Sequence, residues 1–353
     1  MTMKSVKPAC MALGAALLFG ASTPAAKVLV GQLAPQLLAG LLYLGSGAGL
    51  SVLSLLSRAF GGPGKEAALR RLDLPWLAGA VLFGGVIGPL LLMIGLSRTA
   101  GGATSLLLNM ESVFTALMAW FVFKENLDRR LVLGMASIVA GSLCLTWQPG
   151  AALSVSIGSL AVIGGCFCWA LDNNLTRHIS DADPVQIAAT KGLVAGLVNC
   201  GIALASGSHL PGQLALIEAA LLGFLGYGVS LVLFITALRH LGTARSGAYF
   251  STAPFAGAIL SLLFLHEPLT GPLLAAAGLM ALGVWLHLSE VHEHEHSHAQ
   301  VEHEHTHVHD AHHQHAHDSD APPGEPHSHW HRHAAITHSH PHYPDTHHRH
   351  DHA

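Results

Sequence analysis

Residues 96–127 read "LSRTAGGATSLLLNMESVFTALMAWFVFKENL" and residues 238–269 read "LRHLGTARSGAYFSTAPFAGAILSLLFLHEPL". The two stretches align without a gap at an offset of 142 residues, and Glu125 of the first then matches Glu267 of the second. Self-similarity at a fixed distance is the signature of an internally repeated architecture. We therefore predict a chain built from two related halves.

A second alignment places the boundaries of these halves. The segment FGASTPAAK (19–27) matches WALDNNLTR (169–177) at an offset of 150. The halves then cover residues 8–148 and 154–289, and residues 290–353 form a tail.

The composition excludes an ordinary soluble domain. The chain is 51% hydrophobic and only 11% charged, with a mean hydropathy of +0.46, whereas soluble domains carry about 25% charged residues. Because a membrane helix needs about 20 mostly apolar residues, the sequence predicts ten spans, five in each half. The predicted spans are about 9–30, 35–57, 75–97, 101–123, 130–148, 156–178, 185–206, 213–238, 244–265 and 271–289.

Basic residues predict how the spans are oriented. With a cytoplasmic N-terminus, 12 Lys or Arg residues fall in cytoplasmic segments, while Arg98 alone falls in an outer loop. This is the distribution that the positive-inside rule describes. Five spans is an odd number, so the two halves insert in opposite orientations. We predict an all-α inner-membrane protein of two inverted five-helix repeats, with both termini in the cytoplasm.

Three segments of the membrane body resemble a known family. LLFGASTPAAK (17–27), VFTALMAWFVFKENL (113–127) and PFAGAILSLLFLHEPL (254–269) resemble the drug/metabolite transporter superfamily, EamA type. Ser112 stands where that family often has a proline before its phenylalanine, whereas Pro254 keeps it. The resemblance implies a ten-helix transporter with alternating access, often an exporter, and implies little about the substrate.

Glu111 lies about ten residues into the fourth predicted span, with Asn109 two positions before it. Charged groups inside a span are costly and usually face a cavity or a partner. Glu111 is therefore a candidate proton carrier or cation ligand. The alternative is a protonated carboxyl that ties two helices together.

Asp172 and Lys191 lie at matching depth in neighbouring spans. Each is about six residues from the inner end of its span, or ~9 Å at 1.5 Å per residue, so the sequence predicts an ion pair, either permanent or opened during transport. Asn173 and Asn174 add polar groups that suit a cation or a zwitterion. Lys27 either reaches the membrane interface or, as the resemblance implies, belongs to the transport path.

The tail holds 23 of the 28 histidines, many of them at every second position. Imidazole is a common ligand of Ni, Co and Zn, and the tail lacks the apolar residues of a folded core. We predict a disordered tail that binds a transition metal, which the chain does not require as a cofactor. The candidate ligands are His292, His294, His296, His298, His303, His305, His307, His309, His312, His313, His315 and His317.

The sequence leaves three functions open. The first is a secondary exporter of a divalent transition metal, Ni or Co before Zn, in exchange for protons. The second is a transporter of an organic metabolite such as an amino acid, with the tail as regulator. The third is a membrane-anchored metal sensor or buffer without transport. We expect the lipid bilayer and a small solute or metal cation as partners, no nucleic acid and no enzymatic activity, since no catalytic motif is present. The oligomeric state stays open, a dimer included.

Overall fold

The computed structural model of the chain describes most of the membrane body and four segments of the tail. Thirteen α-helices, one 3₁₀ turn, two π-helical segments and four strands make up these parts. The described residues are 3–59, 69–123, 129–146, 156–179, 182–241, 249–288, 292–298, 301–307, 327–333 and 336–342.

The helices follow the predicted spans. One 3₁₀ turn (Arg71–Asp73) precedes α3, and the π segments Val81–Ile87 and Gly223–Val229 join α3 to α4 and α10 to α11. The helices are α1 (Met3–Val30), α2 (Pro35–Ala59), α3 (Leu74–Ala80), α4 (Gly88–Arg98), α5 (Gly101–Leu107), α6 (Met110–Phe123), α7 (Arg129–Thr146), α8 (Ile157–Arg177), α9 (Pro184–Ala205), α10 (Gln213–Leu222), α11 (Ser230–Leu241), α12 (Ala253–Phe264) and α13 (Gly271–Leu288).

Among the described residues, seven helical stretches are long and apolar enough to cross a membrane. The fourth and ninth predicted spans are not among them, because α5 and α6 are separated by a turn and α12 has only 12 residues. The sixth span is α8, whose 21 residues include Asp172, Asn173 and Asn174. The all-α membrane body is therefore confirmed. The fourth and ninth spans are irregular, and the sixth contains polar residues.

The packing of the helices repeats between the halves. The second span packs on the seventh (α2 on α9) and the fifth on the tenth (α7 on α13). The contact of α4 with α8, which joins the first half to the second, is matched by the contact of α11 with α1, which joins the second half to the first. Small residues allow these close approaches: a Cβ added to Gly192 would lie 2.8 Å from the Cα of Gly47.

The two π segments occupy the same position in each repeat. Val81–Ile87 and Gly223–Val229 are separated by the same 142 residues as the aligned segments. Gly84 and Gly226 match at this offset, as Asp172 and Ser22 match at 150. A Cβ on Gly84 would overlap the Asp172 carboxylate, and a Cβ on Gly226 would lie 2.7 Å from the Ser22 Cβ. The halves therefore make the same close contact, once with an acid and once with a hydroxyl.

The fourth and ninth spans are both interrupted. Leu108 and Asn109 form a turn whose amides bond to carbonyls three residues back, at 3.2 and 3.1 Å. Ser251 and Thr252 form a turn just before α12, where the Thr252 amide donates to the Tyr249 carbonyl at 3.2 Å. Interrupted helices in corresponding places of two inverted repeats are typical of the binding sites of secondary transporters.

The described tail segments are extended. Strands β1 (His292–His298) and β4 (Ile336–His342) pair antiparallel, as do β2 (Val301–His307) and β3 (His327–His333). Two residues separate β1 from β2 and two separate β3 from β4, so both ladders share one register. The physical reason is backbone hydrogen bonding, which needs no apolar core, in a sequence whose alternation has the two-residue period of a strand.

Candidate functional site

An ion pair joins α8 to α9 inside the membrane body. The Lys191 ammonium donates a hydrogen bond to Oδ2 of Asp172, and the two side chains are 18% and 7% exposed. Thr176 donates its hydroxyl to Oδ1 of Asp172 at 3.1 Å, so both carboxylate oxygens have a partner. The ion pair predicted from matching depths in the sequence is therefore present.

The π segment Val81–Ile87 lies against this pair and is held by side chains of three other helices. Its Gly84 carbonyl accepts hydrogen bonds from the Tyr43 hydroxyl at 2.7 Å and from the Trp169 indole N–H at 3.0 Å. The Asn199 amide donates to the next two carbonyls at 3.2 and 3.3 Å. A π-helical turn shifts the backbone bonding by one residue, which leaves carbonyls for such donors. The carbonyls beside Asp172 are therefore fixed from α2, α8 and α9 together.

Glu111 lies in the first turn of α6, next to the interruption of the fourth span. Its Oε1 accepts a hydrogen bond from the Asn173 amide at 2.8 Å. The carboxylate also interacts electrostatically with Asp172 and Lys191. We call these four residues, Glu111, Asp172, Asn173 and Lys191, the central cluster. It combines one ion pair with one carboxyl whose described hydrogen-bond partner is a neutral amide.

The other three residues predicted to line the path donate hydrogen bonds to backbone carbonyls. Asn109 is buried, and its side-chain amide donates to the Leu106 carbonyl at 2.9 Å. Asn174 donates to the carbonyl of Ala170, one turn earlier in α8, at 2.8 Å. Lys27 donates to two backbone carbonyls at the end of α4, at 2.6 and 2.7 Å. These contacts stabilise turns and helix ends, and a role of the three in transport stays a prediction.

The candidate metal ligands of the tail divide into two sets. Among the described residues, no group of three or more His, Cys, Asp or Glu side chains is placed to hold a metal ion. Seven of the predicted ligands lie in β1 and β2, at His292, His294, His296, His298, His303, His305 and His307. The other five lie outside the described residues, at His309, His312, His313, His315 and His317.

Three side chains at the site were missed by sequence reasoning: Tyr43, Trp169 and Asn199. Each is an uncharged polar or aromatic residue in an apolar span, and buried Tyr, Trp and Asn usually have a hydrogen-bond partner. That rule marks them as in need of a partner inside the bundle. It does not identify the partner, because the carbonyls they bond are 41 to 114 residues away in the chain.

The sequence itself matches a transporter family. The profile of the EamA-like transporter family matches residues 6–147 and residues 156–289, which together are more than half of the chain. The chain belongs to the EamA-like transporter family. It is therefore a multi-pass membrane protein of a transporter family, with one family match in each half.

Individual EamA-like relatives are distant. An uncharacterized transporter of Methanothermobacter thermautotrophicus is 28% identical over 270 residues, which cover 72% of this chain and 78% of that protein. A probable amino-acid metabolite efflux pump of Salmonella typhimurium is 25% identical over 205 residues, covering 53% of this chain and 67% of that one. A solved crystal structure shares the fold, with a TM-score of 0.59 at 18% identity over 79% of this chain and 95% of that chain.

The central cluster of this EamA-like chain holds two opposite charges, Asp172 and Lys191, side by side. A buried ion pair that loses one partner is left with an uncompensated charge, which is strongly destabilising. A ligand that separates Asp172 from Lys191 must therefore offer a cation to the one and an anion to the other. Glu111 is not bound by that constraint, because its Asn173 partner is neutral.

Proposed function

We propose that this EamA-like protein is a secondary exporter of small organic solutes that carry both an ammonium and a carboxylate group. The observation that supports this most is the buried Asp172–Lys191 pair beside a π segment and an interrupted span. The solute's ammonium binds Asp172 and its carboxylate binds Lys191. One internal ion pair is then exchanged for two external ones, and no buried charge is left unpaired.

In this proposal Glu111 carries the coupling proton. Asp172 already forms an ion pair with the Lys191 ammonium. The hydrogen-bond partner of Glu111 is instead a neutral group, the side-chain amide of Asn173, 2.8 Å away. An amide can donate to the carboxylate or accept from the protonated acid after its ends exchange places. Proton exchange and solute binding are therefore assigned to different carboxyl groups of one cluster.

The experiment is counterflow in proteoliposomes with three probes of matched shape: leucine, isopentylamine and isocaproate. The proposal predicts that leucine is exchanged, whereas the amine and the acid are not. Asp172→Asn and Lys191→Met are each expected to abolish leucine exchange. Glu218→Gln is the matched control, because Glu218 is an exposed carboxylate on α10 away from the cluster. Exchange of the amine alone, or leucine exchange that survives Asp172→Asn, would refute the assignment.

Export of Ni, Co or Zn in exchange for protons is the second candidate, and the tail favours it. In the shared register of the strands, His294 is opposite His340 and His305 is opposite His329. Imidazole is a common ligand of Ni, Co and Zn, so these facing histidine positions are candidates to share a metal ion. On this second proposal the cytoplasmic tail collects the metal and the central cluster passes it across the membrane.

Metal flux separates the tail's two possible roles. The full chain and a chain ending at Ser289 are compared for uptake of Ni, Co and Zn into inverted vesicles under a pH gradient. Saturable flux that Glu111→Gln abolishes supports metal export. Tail-dependent metal binding without flux, together with leucine exchange that responds to the metal, assigns the tail to regulation and the membrane body to organic solutes.

A further inference from the structure

The end of the bundle opposite the two termini, here called the distal end, holds a lysine in an unusual position. Lys27, near the end of α1, donates its ammonium to the carbonyls of Leu96 at 2.6 Å and Thr99 at 2.7 Å. These are carbonyls at the C-terminal end of α4, where the helix dipole is negative and a cation is favourable. Lys27 therefore secures the end of the third span to the first.

A glutamate holds the adjoining helix from the opposite half of the protein. The Glu267 carboxylate accepts hydrogen bonds from the amides of Gly101 at 2.6 Å and Gly102 at 2.8 Å. These amides open α5, where an anion is favourable. A Cβ at Gly101 would lie 3.3 Å from Oε1 of Glu267 and 2.8 Å from the Ser261 hydroxyl. Gly101 therefore allows α5 to pack closely against Ser261 of α12 beside this carboxylate.

The backbone is strained at the residue that aims this carboxylate. His266, between α12 and Glu267, has φ of 53°, in the left-handed region that non-glycine residues rarely adopt. Strain of this kind persists where the surroundings impose it, and it is concentrated at functional positions. Here the strained turn directs Glu267 across the boundary between the halves, from the second repeat onto the first.

We propose that Lys27, Glu267 and the backbone of residues 96–102 form a latch that keeps the distal end closed in the state described here. Alternating access in an inverted repeat moves one half against the other. The two bonds from Glu267 to the amides of α5 cross between the halves, so they must break before the distal end opens. Lys27 adds to the latch because it holds the connection between α4 and α5, next to the amides that bond to Glu267. Its charge also interacts electrostatically with Glu267.

The test is thiol accessibility just below the latch. Ser105 on α5 is fully buried, and its hydroxyl has no hydrogen-bond partner, so Ser105→Cys is a conservative reporter. A membrane-impermeant maleimide is applied to the full chain in cells and in inverted vesicles. Each variant is also made without the reporter, which gives the background labelling of the native cysteines. The assay needs no transported solute, so it is independent of the function proposed above.

The latch predicts slow labelling of the reporter in the parent chain and faster labelling from one side only in Glu267→Gln and Lys27→Met. The labelling rate is expected to rise about tenfold or more, because losing one hydrogen bond to a charged group changes the equilibrium between closed and open states by about that factor. Lys27→Arg, which keeps charge and donors, is expected to label as slowly as the parent. Arg98→Met and Glu218→Gln, which remove exposed charges near the same end, are the matched controls.

Two results would overturn the proposal. Labelling that stays at the parent rate in both latch variants would show that the bonds do not hold the distal end closed. Labelling that rises equally from both sides would show a general loosening of the bundle rather than an opening at one end. Should Glu267→Gln fail to accumulate in the membrane, Glu267→Asp shortens the carboxylate by one methylene and is judged by the same two criteria.

Discussion

The ion pair between Asp172 and Lys191 predicts a characteristic pattern of stability. Removing one partner leaves a buried charge uncompensated, which costs about 3–5 kcal/mol, whereas replacing both by neutral groups is often neutral or stabilising. Each single change, Asp172→Asn or Lys191→Met, should therefore lower the free energy of unfolding. The double change should restore it to within about 1 kcal/mol of the parent.

The exposure of the two side chains predicts which single variant loses more unfolding free energy. Asp172 is 7% exposed and Lys191 is 18% exposed, which places the pair in the buried class rather than among surface pairs worth about 0–1 kcal/mol. Lys191→Met leaves the more buried charge alone and should lie near the upper end of that range. Asp172→Asn leaves the more exposed ammonium, whose long stem can reach towards the interface, and should lie near the lower end.

The assay is reversible unfolding in mixed dodecyl maltoside and dodecyl sulfate micelles, followed by tryptophan fluorescence. The coupling energy from the double-mutant cycle should be about 5 kcal/mol or more. Glu218→Gln serves as the surface control and should stay within about 0.5 kcal/mol of the parent. Single variants as stable as that control, or a double variant whose loss equals the sum of the singles, would refute the reasoning.

Three further outcomes are expected. Gly84→Ala should lower the free energy of unfolding by about 3 kcal/mol or more in the same assay, because the new methyl overlaps the Asp172 carboxylate. Gly201→Ala, where a Cβ meets nothing within 4 Å, should leave the free energy of unfolding unchanged. Equal losses of stability in the two variants would contradict this. Glu111→Gln should keep solute counterflow but lose accumulation driven by a pH gradient, and loss of both would remove Glu111 from the coupling role. His266→Val should lower the free energy of unfolding by about 1–3 kcal/mol, because a β-branched residue is disfavoured at a φ of 53°. His266→Gly should not lower it.

The spans and the ion pair could be predicted from sequence for a simple physical reason. Bilayer thickness fixes how many apolar residues a span needs, and helical rise converts sequence position into depth. Asp172 and Lys191 could be matched because each lies six residues from the same face. Both arguments depend only on distance along the chain.

The π segments and the donors that hold them could not be predicted in this way. The runs GGVIG (84–88) and GFLGYG (223–228) predict close helix packing, because small residues permit it, and they do not encode a change in backbone hydrogen bonding. That change depends on Tyr43, Trp169 and Asn199, which come from three other helices. Such contacts are properties of the assembled bundle rather than of a local pattern.

The repeated contact between a π segment and its facing helix is charged in only one half. Asp172 faces Gly84, whereas the matching position opposite Gly226 is Ser22. Two identical inverted halves would give inward-open and outward-open states of equal energy, related by symmetry. A carboxylate in one contact and a hydroxyl in the other make the energies of the two states unequal. The protein without solute therefore prefers one of the two states, because its two halves differ in sequence at this contact.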